Sequence, residues 1–359
     1  MNYKETLFFI GKCLTINYEK SNLEIVKNQL ENNSIDWDSV VQISTSHSVF
    51  SSLYLNLKRS KLLDFLPSDL VEYMQFITQL NRERNVEIIN QAKELNELLL
   101  KNNITPIFLK GVGNIFQDFY EDIAERMIVD IDFIVAKEVY LKTITLVKNF
   151  GYFKVDKYHH HSPSFKHYPR LQKEGCIAPL EIHKEVLVEK FANEFNYDVI
   201  KGDCLKINNV TVLSYDNQIS LSILGNQIND DGFYFKNLTL KQAYDVFLLS
   251  KKTNAKKSFE KLNKLKYPIN CFLASSYQAF NNIDSLAYNA TLKTEKYLKD
   301  FNTYLVDDKK RERDYRIIKF KLYLIRKKDF ILKTIFHKEY RNWFINDLLI
   351  RFKLRKLAS

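Results

Sequence analysis

Between Leu70 and Leu100 the apolar residues Val71, Met74, Ile77, Leu80, Ile88, Ile89, Ala92, Leu95 and Leu99 recur at close to helical spacing. The pattern predicts one long helix that stops at Asn102-Asn103, and the residues before it also read as helices. From residue 104 the rhythm changes. Strand-length apolar runs alternate with helical stretches: strand 105–109, helix 112–120, strand 128–135, helix 137–149, then Gly151 as a helix stop before strand 152–155. Further strands are expected near 163–169 and 179–187, joined by a polar turn around Lys173-Glu174-Gly175. From about residue 191 the helical pattern returns, interrupted near Lys201–Ser214 by the strand-like Val210-Thr211-Val212-Leu213. The expected class is α+β: a small mixed β-sheet core (104–190) flanked by an N-terminal helical region (1–103) and a mostly helical C-terminal region (191–359).

The strand 128–135 carries two aspartates, Asp130 and Asp132, inside the apolar run IVDIDFIV. Residues two apart on a strand share a face, so both carboxylates project together while Ile131 and Phe133 face the core. Like charges at such spacing resist joint ionisation, and a divalent cation relieves the conflict. The plainer alternative is a half-exposed strand with a polar face. Upstream, Thr105–Leu109 runs into Lys110-Gly111 and a helical segment, a junction whose free N–H groups favour phosphate. Arg126 brings a second cation to the same strand end, or forms a surface salt bridge with Glu121, Asp122 or Glu125. In Leu180-Glu181-Ile182-His183, alternation puts Glu181 and His183 on one face. Two acids on one strand with a third on a later one suit a pair of Mg²⁺ ions around a transferring phosphoryl group. His183 is placed to orient Glu181 or to meet a phosphate oxygen when protonated. The run His159-His160-His161 alternates faces if extended, so it reads as a polar loop or as a source of one active-site contact.

Taken together, Leu109-Lys110-Gly111, Arg126, Asp130-Ile131-Asp132, Gly151-Tyr152, His159–His161 and Glu181-Ile182-His183 resemble the uncharacterised nucleotidyltransferases of the polymerase-beta-like superfamily. His47-Ser48-Val49 is similar to that family's N-terminal helical motif, Tyr244-Asp245 to a later helix, and Trp343 with the basic tail to its C-terminal arm. The resemblance implies a nucleotidyltransferase core and Mg²⁺- or Mn²⁺-dependent transfer of a nucleoside monophosphate from an NTP to a hydroxyl. It also implies metal roles for Asp130, Asp132 and Glu181, with Lys110, Gly111, Arg126 and His183 on the nucleotide. Three features depart from the superfamily: Gly111-Val112 stands where Gly-Ser is usual, Gly111 and Asp130 are widely separated (a spacing that suits this particular family), and the third acid is Glu181, one methylene longer than Asp. The acceptor implied is a small molecule, a glycan precursor or a tRNA 3′ end. Alternatives are transfer of a phospho-alcohol from a CDP-linked donor to a surface glycan, and a non-catalytic polyanion-binding protein.

Composition narrows the class. Aromatic content is 14%, with 26 Phe and 21 Tyr, and Gly and Pro are scarce, which excludes a disordered chain. No apolar run has the length of a membrane span, no leader pattern opens the chain, and Cys13, Cys176, Cys204 and Cys271 have no paired spacing. A cytoplasmic protein with reduced thiols is expected. Charge is concentrated at one end. Residues 309–359 hold 17 Lys/Arg against 5 Asp/Glu, a net of +12 within a chain total of +11. This basic arm either meets an anionic partner (nucleic acid, acidic glycan or a membrane surface, peripherally) or is the solvated face of helices packed through Ile317, Ile318, Phe320, Leu324 and Ile325.

Overall fold

A computed structural model of the chain describes residues 1–32, 34–155, 163–256 and 262–358. Seven short strands form one mixed sheet: β1 Ile107–Phe108, β2 Ile131–Ile134, β3 Phe153–Lys154, β4 Leu171–Gln172, β5 Leu180–His183, β6 Cys204–Ile207 and β7 Val210–Leu213. Their order is β3-β4-β5-β2-β1-β7-β6. The pairs β2–β5 and β1–β7 are parallel and the others antiparallel. The fold is therefore α+β, as the sequence pattern implies. The last two strands come from residues 204–213, beyond the 104–190 stretch. At the centre, β2 and β5 are fully buried, as strands covered on both faces must be.

Some strand expectations need correction. Segment 163–169 is not a strand: it makes a single bridge, His167 to His183, and the ladder starts at β4. Pro163 and Pro169 carry no N–H to donate to a ladder, which limits regular pairing there. The 179–187 run shortens to the four residues of β5. Strand β6 was not anticipated. Its signal is Asn208-Asn209, both at positive φ (46° and 67°), the two-residue turn that closes the β6–β7 hairpin.

The long helix is Ser68–Lys101, with Asn102 as its cap and Asn103 at φ 60° turning the chain into β1. Met74, Ile88, Ala92, Leu95 and Leu99 are buried as their spacing predicts, but Leu80 is exposed. Polar residues share the inner face. Asn85 donates to the carbonyls of Ile123 (2.6 Å) and Arg126 (2.7 Å), and Asn81 donates to that of Ala124 (2.8 Å). Gln91 donates to Ala178 O (2.7 Å) and accepts from Ala178 N (3.2 Å). These amides satisfy backbone groups of the irregular segments that lead into β2 and β5, groups that would otherwise be buried without partners.

Four shorter helices (Tyr3–Cys13, Lys20–Glu31, Trp37–Ser46, Phe50–Arg59) pack with Leu240–Ser250 and Lys266–Ala279 around the same core cluster as the sheet. The four cysteines are free, and no helix among the described residues is long and apolar enough to cross a membrane. The arm is a pair of helices, Asp308–Phe336 and Lys338–Ala358, joined at His337. Packing through Ile317, Phe320, Leu324 and Ile325 does not occur, since all four are exposed and Asp308–Phe336 has no fully buried residue; Ile318 alone of the expected five is half-buried. The arm meets the body through Tyr315, whose ring lies 4.9 Å from that of Phe235, and through polar contacts. Lys333 Nζ and Tyr340 OH each reach Glu189 at 2.6 Å, and Arg326 pairs with Asp231.

Gly11 marks the tightest helix crossing, because a Cβ there would sit 2.3 Å from the Ala279 carbonyl oxygen. Gly11→Ala should cost roughly 2 kcal/mol or more by overpacking backbone against backbone. Gly202→Ala, with nothing within 4 Å of the new atom, should be close to neutral. Urea midpoints of the two variants check this, and equal midpoints would place the crossing elsewhere.

Candidate active site

β2 and β5 are paired so that Asp132 lies opposite Glu181 and Ile134 opposite His183. Since Cβ atoms alternate, Asp132 and Glu181 emerge on the same face, and Asp130 precedes them at the strand entrance. Lys110 follows β1 at φ 49°, a left-handed conformation that turns the chain sharply into the helix Lys110–Phe116. The turn aims the Lys110 side chain back at the acids. Its Nζ lies 2.5 Å from Asp132 Oδ1 and 3.8 Å from Glu181 Oε2. His183 Nε2 contacts the same Asp132 oxygen at 2.8 Å, and its Nδ1 faces the Glu185 carbonyl at 3.2 Å. Arg170 spans the other two acids, with Nε donating to Glu181 (2.7 Å) and Nη2 to Asp130 (3.0 Å).

The three carboxyls share the crowding unequally. Burial opposes ionisation of Asp132, but the Lys110 charge and the His183 hydrogen bond hold it well below the usual carboxylate range. Burial also works against Glu181, yet the neighbouring His183 ring and the Lys110 charge bring it down to about 2. Asp130 takes the strain. Burial and the Asp132 charge push it up to about 7, only partly offset by Lys110.

Arg126 is not in a surface salt bridge with Glu121, Asp122 or Glu125. It is buried, and its Nε lies 3.2 Å from Asp245 Oδ2. Asp245 also accepts from Tyr120 OH at 2.6 Å. The acids near Arg126 in sequence are engaged elsewhere: Asp122 with Arg82, and Glu125 with Arg59 and with Tyr244 OH, each at 2.6 Å. The His47 motif has a structural task. Its Nδ1 accepts from Leu240 N (3.1 Å) and its Nε2 meets Tyr3 OH (3.1 Å), with the ring held neutral as burial lowers its pKa to about 4. That contact fixes the start of the helix bearing Tyr244 and Asp245.

These groups line one cleft of about 290 Å³. Lys110, Gly111, Arg126, Asp130 and Asp132 all face it, and Gly111 offers no side chain between Ile128 and the Arg126 guanidinium. Glu181 and His183 lie behind Asp132. The segment His159–His161 falls outside the described residues. Sequence reasoning missed Lys166, Arg170, Asp230 and Lys241, which complete the wall. Arg170 immediately precedes buried Leu171, the first residue of β4, and so alternates toward the cleft, a signal hidden by the misplaced strand; Lys166 and Lys241 carry no local motif. Burial lowers the Lys241 pKa to about 8, with the Arg126 charge adding to the effect.

The donor set could hold a divalent cation. Ligand atoms of Asp132, Glu181 and His183 lie within 4.8 Å of one another, and Asp130 adds a carboxyl destabilised by its neighbours. Residues 33–279 match the model of a protein family described as "Uncharacterised nucleotidyltransferase", and the chain belongs to that family. A solved structure similar to it is that of an antigenic nucleotidyltransferase-like protein from Paracoccidioides brasiliensis, at 17% identity over 58% of this chain and 97% of that one. The TM-score of that match is 0.32. No curated protein matches the chain.

Because the folded pKa of Asp130 lies above its unfolded value, folding favours the proton, and this stabilisation is lost as pH rises from about 4 through about 7. In chelator-treated protein, Asp130→Asn should therefore melt close to wild type at pH 5 and higher by on the order of a few degrees at pH 8. A difference in melting temperature that does not change with pH would show that Asp130 does not bear the charge strain.

Proposed function

We propose that this protein is a Mg²⁺- or Mn²⁺-dependent nucleotidyltransferase that moves a nucleoside monophosphate from an NTP to a hydroxyl on a small molecule or glycan precursor. The observation that carries the reading is the sharing of one cleft by Asp130 and Asp132, with Glu181 behind them and tied to Arg170, and by five cations: Lys110, Arg126, Lys166, Arg170 and Lys241. Acids alone would suit a cation site, and bases alone a phosphate site. Their juxtaposition suits a polyphosphate that arrives with a metal.

Asp130, Asp132 and Glu181 would hold the cation, which when bound supplies charge neutralisation on the phosphates and activation of the attacking hydroxyl. Lys110, Gly111 and Arg126 are proposed to contact the nucleotide, joined by Lys166 and Lys241; His183, expected there from the sequence, is buried behind Asp132 and is proposed to position that carboxylate instead. His183 fixes Asp132 through its 2.8 Å contact, and Arg170 fixes Glu181 relative to Asp130. A carboxyl with a pKa of about 2 is a poor proton acceptor near neutrality, so Glu181 acts by charge and position. Catalysis then rests on alignment of donor and acceptor and on fixed positive charge.

The test incubates the full chain with each α-labelled NTP and Mg²⁺ or Mn²⁺ across pools of sugar, small-molecule and tRNA acceptors. Pyrophosphate release with label on the acceptor supports the reading. Label that stays off the acceptor with every NTP, or equal turnover in Asp132→Asn, overturns it. Asp132→Asn and Glu181→Gln should each lower kcat by on the order of 10³-fold while NTP binding changes far less.

Lys241→Gln should instead raise the NTP KM by roughly tenfold or more at little cost in kcat, as loss of a charged phosphate contact. Lys241 is charged below its pKa of about 8 and neutral above it. Hence kcat/KM of the wild type should fall as pH rises past about 8, and Lys241→Arg should move that fall to higher pH. An unchanged profile would remove Lys241 from the nucleotide site.

A further inference from the structure

We infer that the C-terminal arm docks this protein onto an anionic lipid surface. In the helix Asp308–Phe336 the residues Ile317, Phe320, Leu324, Ile331 and Ile335 recur at spacings of three, four or seven and so share one face. All five point to solvent, with exposures between 47% and 61%. A stripe this apolar is normally buried, yet this helix has no buried residue along its 29 positions. Basic side chains border the stripe: Arg313 and Arg316 near its start, then Lys321, Lys327 and Lys328. At about 100° per residue no acid of the helix falls among them. Asp314 turns instead to the Tyr304 hydroxyl and Asp329 lines the inner groove against the body. The second helix repeats the pattern, with Arg341, Ile345, Leu349 and Phe352 on one face and the three apolar side chains exposed.

The chemistry of the stripe selects the occupant. A second copy of the arm would bring two surfaces of like charge together, each from a segment of net +12. A nucleic acid would satisfy the charges but leave Ile317, Leu324, Ile331 and Ile335 without apolar contact. An anionic membrane interface meets both demands, with headgroups for the lysines and arginines and the acyl boundary for the apolar row. The opposite face of the arm holds it to the body through Glu189 and Asp231, so the stripe is presented outward.

The experiment is flotation of the full chain with vesicles of phosphatidylcholine alone or mixed with phosphatidylglycerol. Binding is expected only to the mixed vesicles and should weaken at least about tenfold as salt is raised from low to physiological strength and beyond. Two surface variants separate the contributions: Phe320→Ser with Leu324→Ser and Ile331→Ser, which keeps every charge, and Lys321→Glu with Lys327→Glu and Lys328→Glu, which keeps every apolar group. Both should lose flotation while melting like wild type, since all six positions are exposed. Asp132→Asn should float as wild type, which keeps this result independent of the catalytic reading. Absence of wild-type flotation overturns the proposal, as does flotation that survives the apolar triple substitution. Oligonucleotide binding indifferent to the apolar triple, without vesicle binding, assigns the arm to nucleic acid. A dimer in light scattering that the apolar triple dissolves, again without vesicle binding, assigns it to self-association.

Discussion

Three carboxylates crowd the ends of two parallel strands, and much of the surrounding architecture answers that charge. Asp132 and Glu181 face each other across the β2–β5 ladder, with Asp130 one step out, so their repulsion is built into the register. Lys110, Arg170 and His183 each reach one or two of the acids within 3.0 Å, and each is delivered by a different piece of chain. Removing any one would leave a buried or half-buried carboxylate short of its partner, the situation that costs most in a low-dielectric interior. A left-handed Lys110 is tolerated because only that turn sends its ammonium between Asp132 and Glu181.

A second layer holds the segment that feeds β2. Residues 122–129 are irregular apart from one 3-10 turn at Ile123–Glu125, and backbone groups there are satisfied by amides of the long helix and by the Ser52 hydroxyl. Glu125 and Arg126, adjacent in sequence, point to opposite partners. Glu125 meets Arg59 and Tyr244, and Arg126 meets Asp245, the next residue of the same helix. His47 then anchors the start of that helix to the first helical layer. The helices on both sides of the sheet are thus part of the site's frame, which explains why motifs near residues 47 and 245 accompany the acids.

The basic arm obeys different physics from the cleft. In the cleft, cations are partly buried and paired or desolvated, with Lys241 brought down to about 8. Along the arm most of them stay in water beside exposed Ile, Leu and Phe, and the ion pairs of Arg326 and Lys333 lie on the opposite face and leave that apolar surface uncovered. A chain that keeps such a stripe on an attached helix pair has a surface made for contact, distinct from the place where its chemistry occurs.

Much of this was legible along the chain. Period-two alternation was enough to put Asp130 with Asp132 and Glu181 with His183, since strand geometry alone decides which neighbours share a face. Helical spacing located Ser68–Lys101, and charge counting isolated the arm. Other features depended on distances between residues far apart in sequence. That Asp132 opposes Glu181, that Arg126 turns to Asp245 and not to the nearby Glu121, Asp122 or Glu125, and that Lys166, Arg170 and Lys241 close the cleft are matters of register and packing. The apolar row of the arm misled for the same reason: periodicity shows that Ile317, Phe320 and Leu324 share a face, but whether that face meets protein or solvent is decided by how the helix sits on the body. Local pattern determines side-chain direction; only the tertiary fold determines what stands opposite.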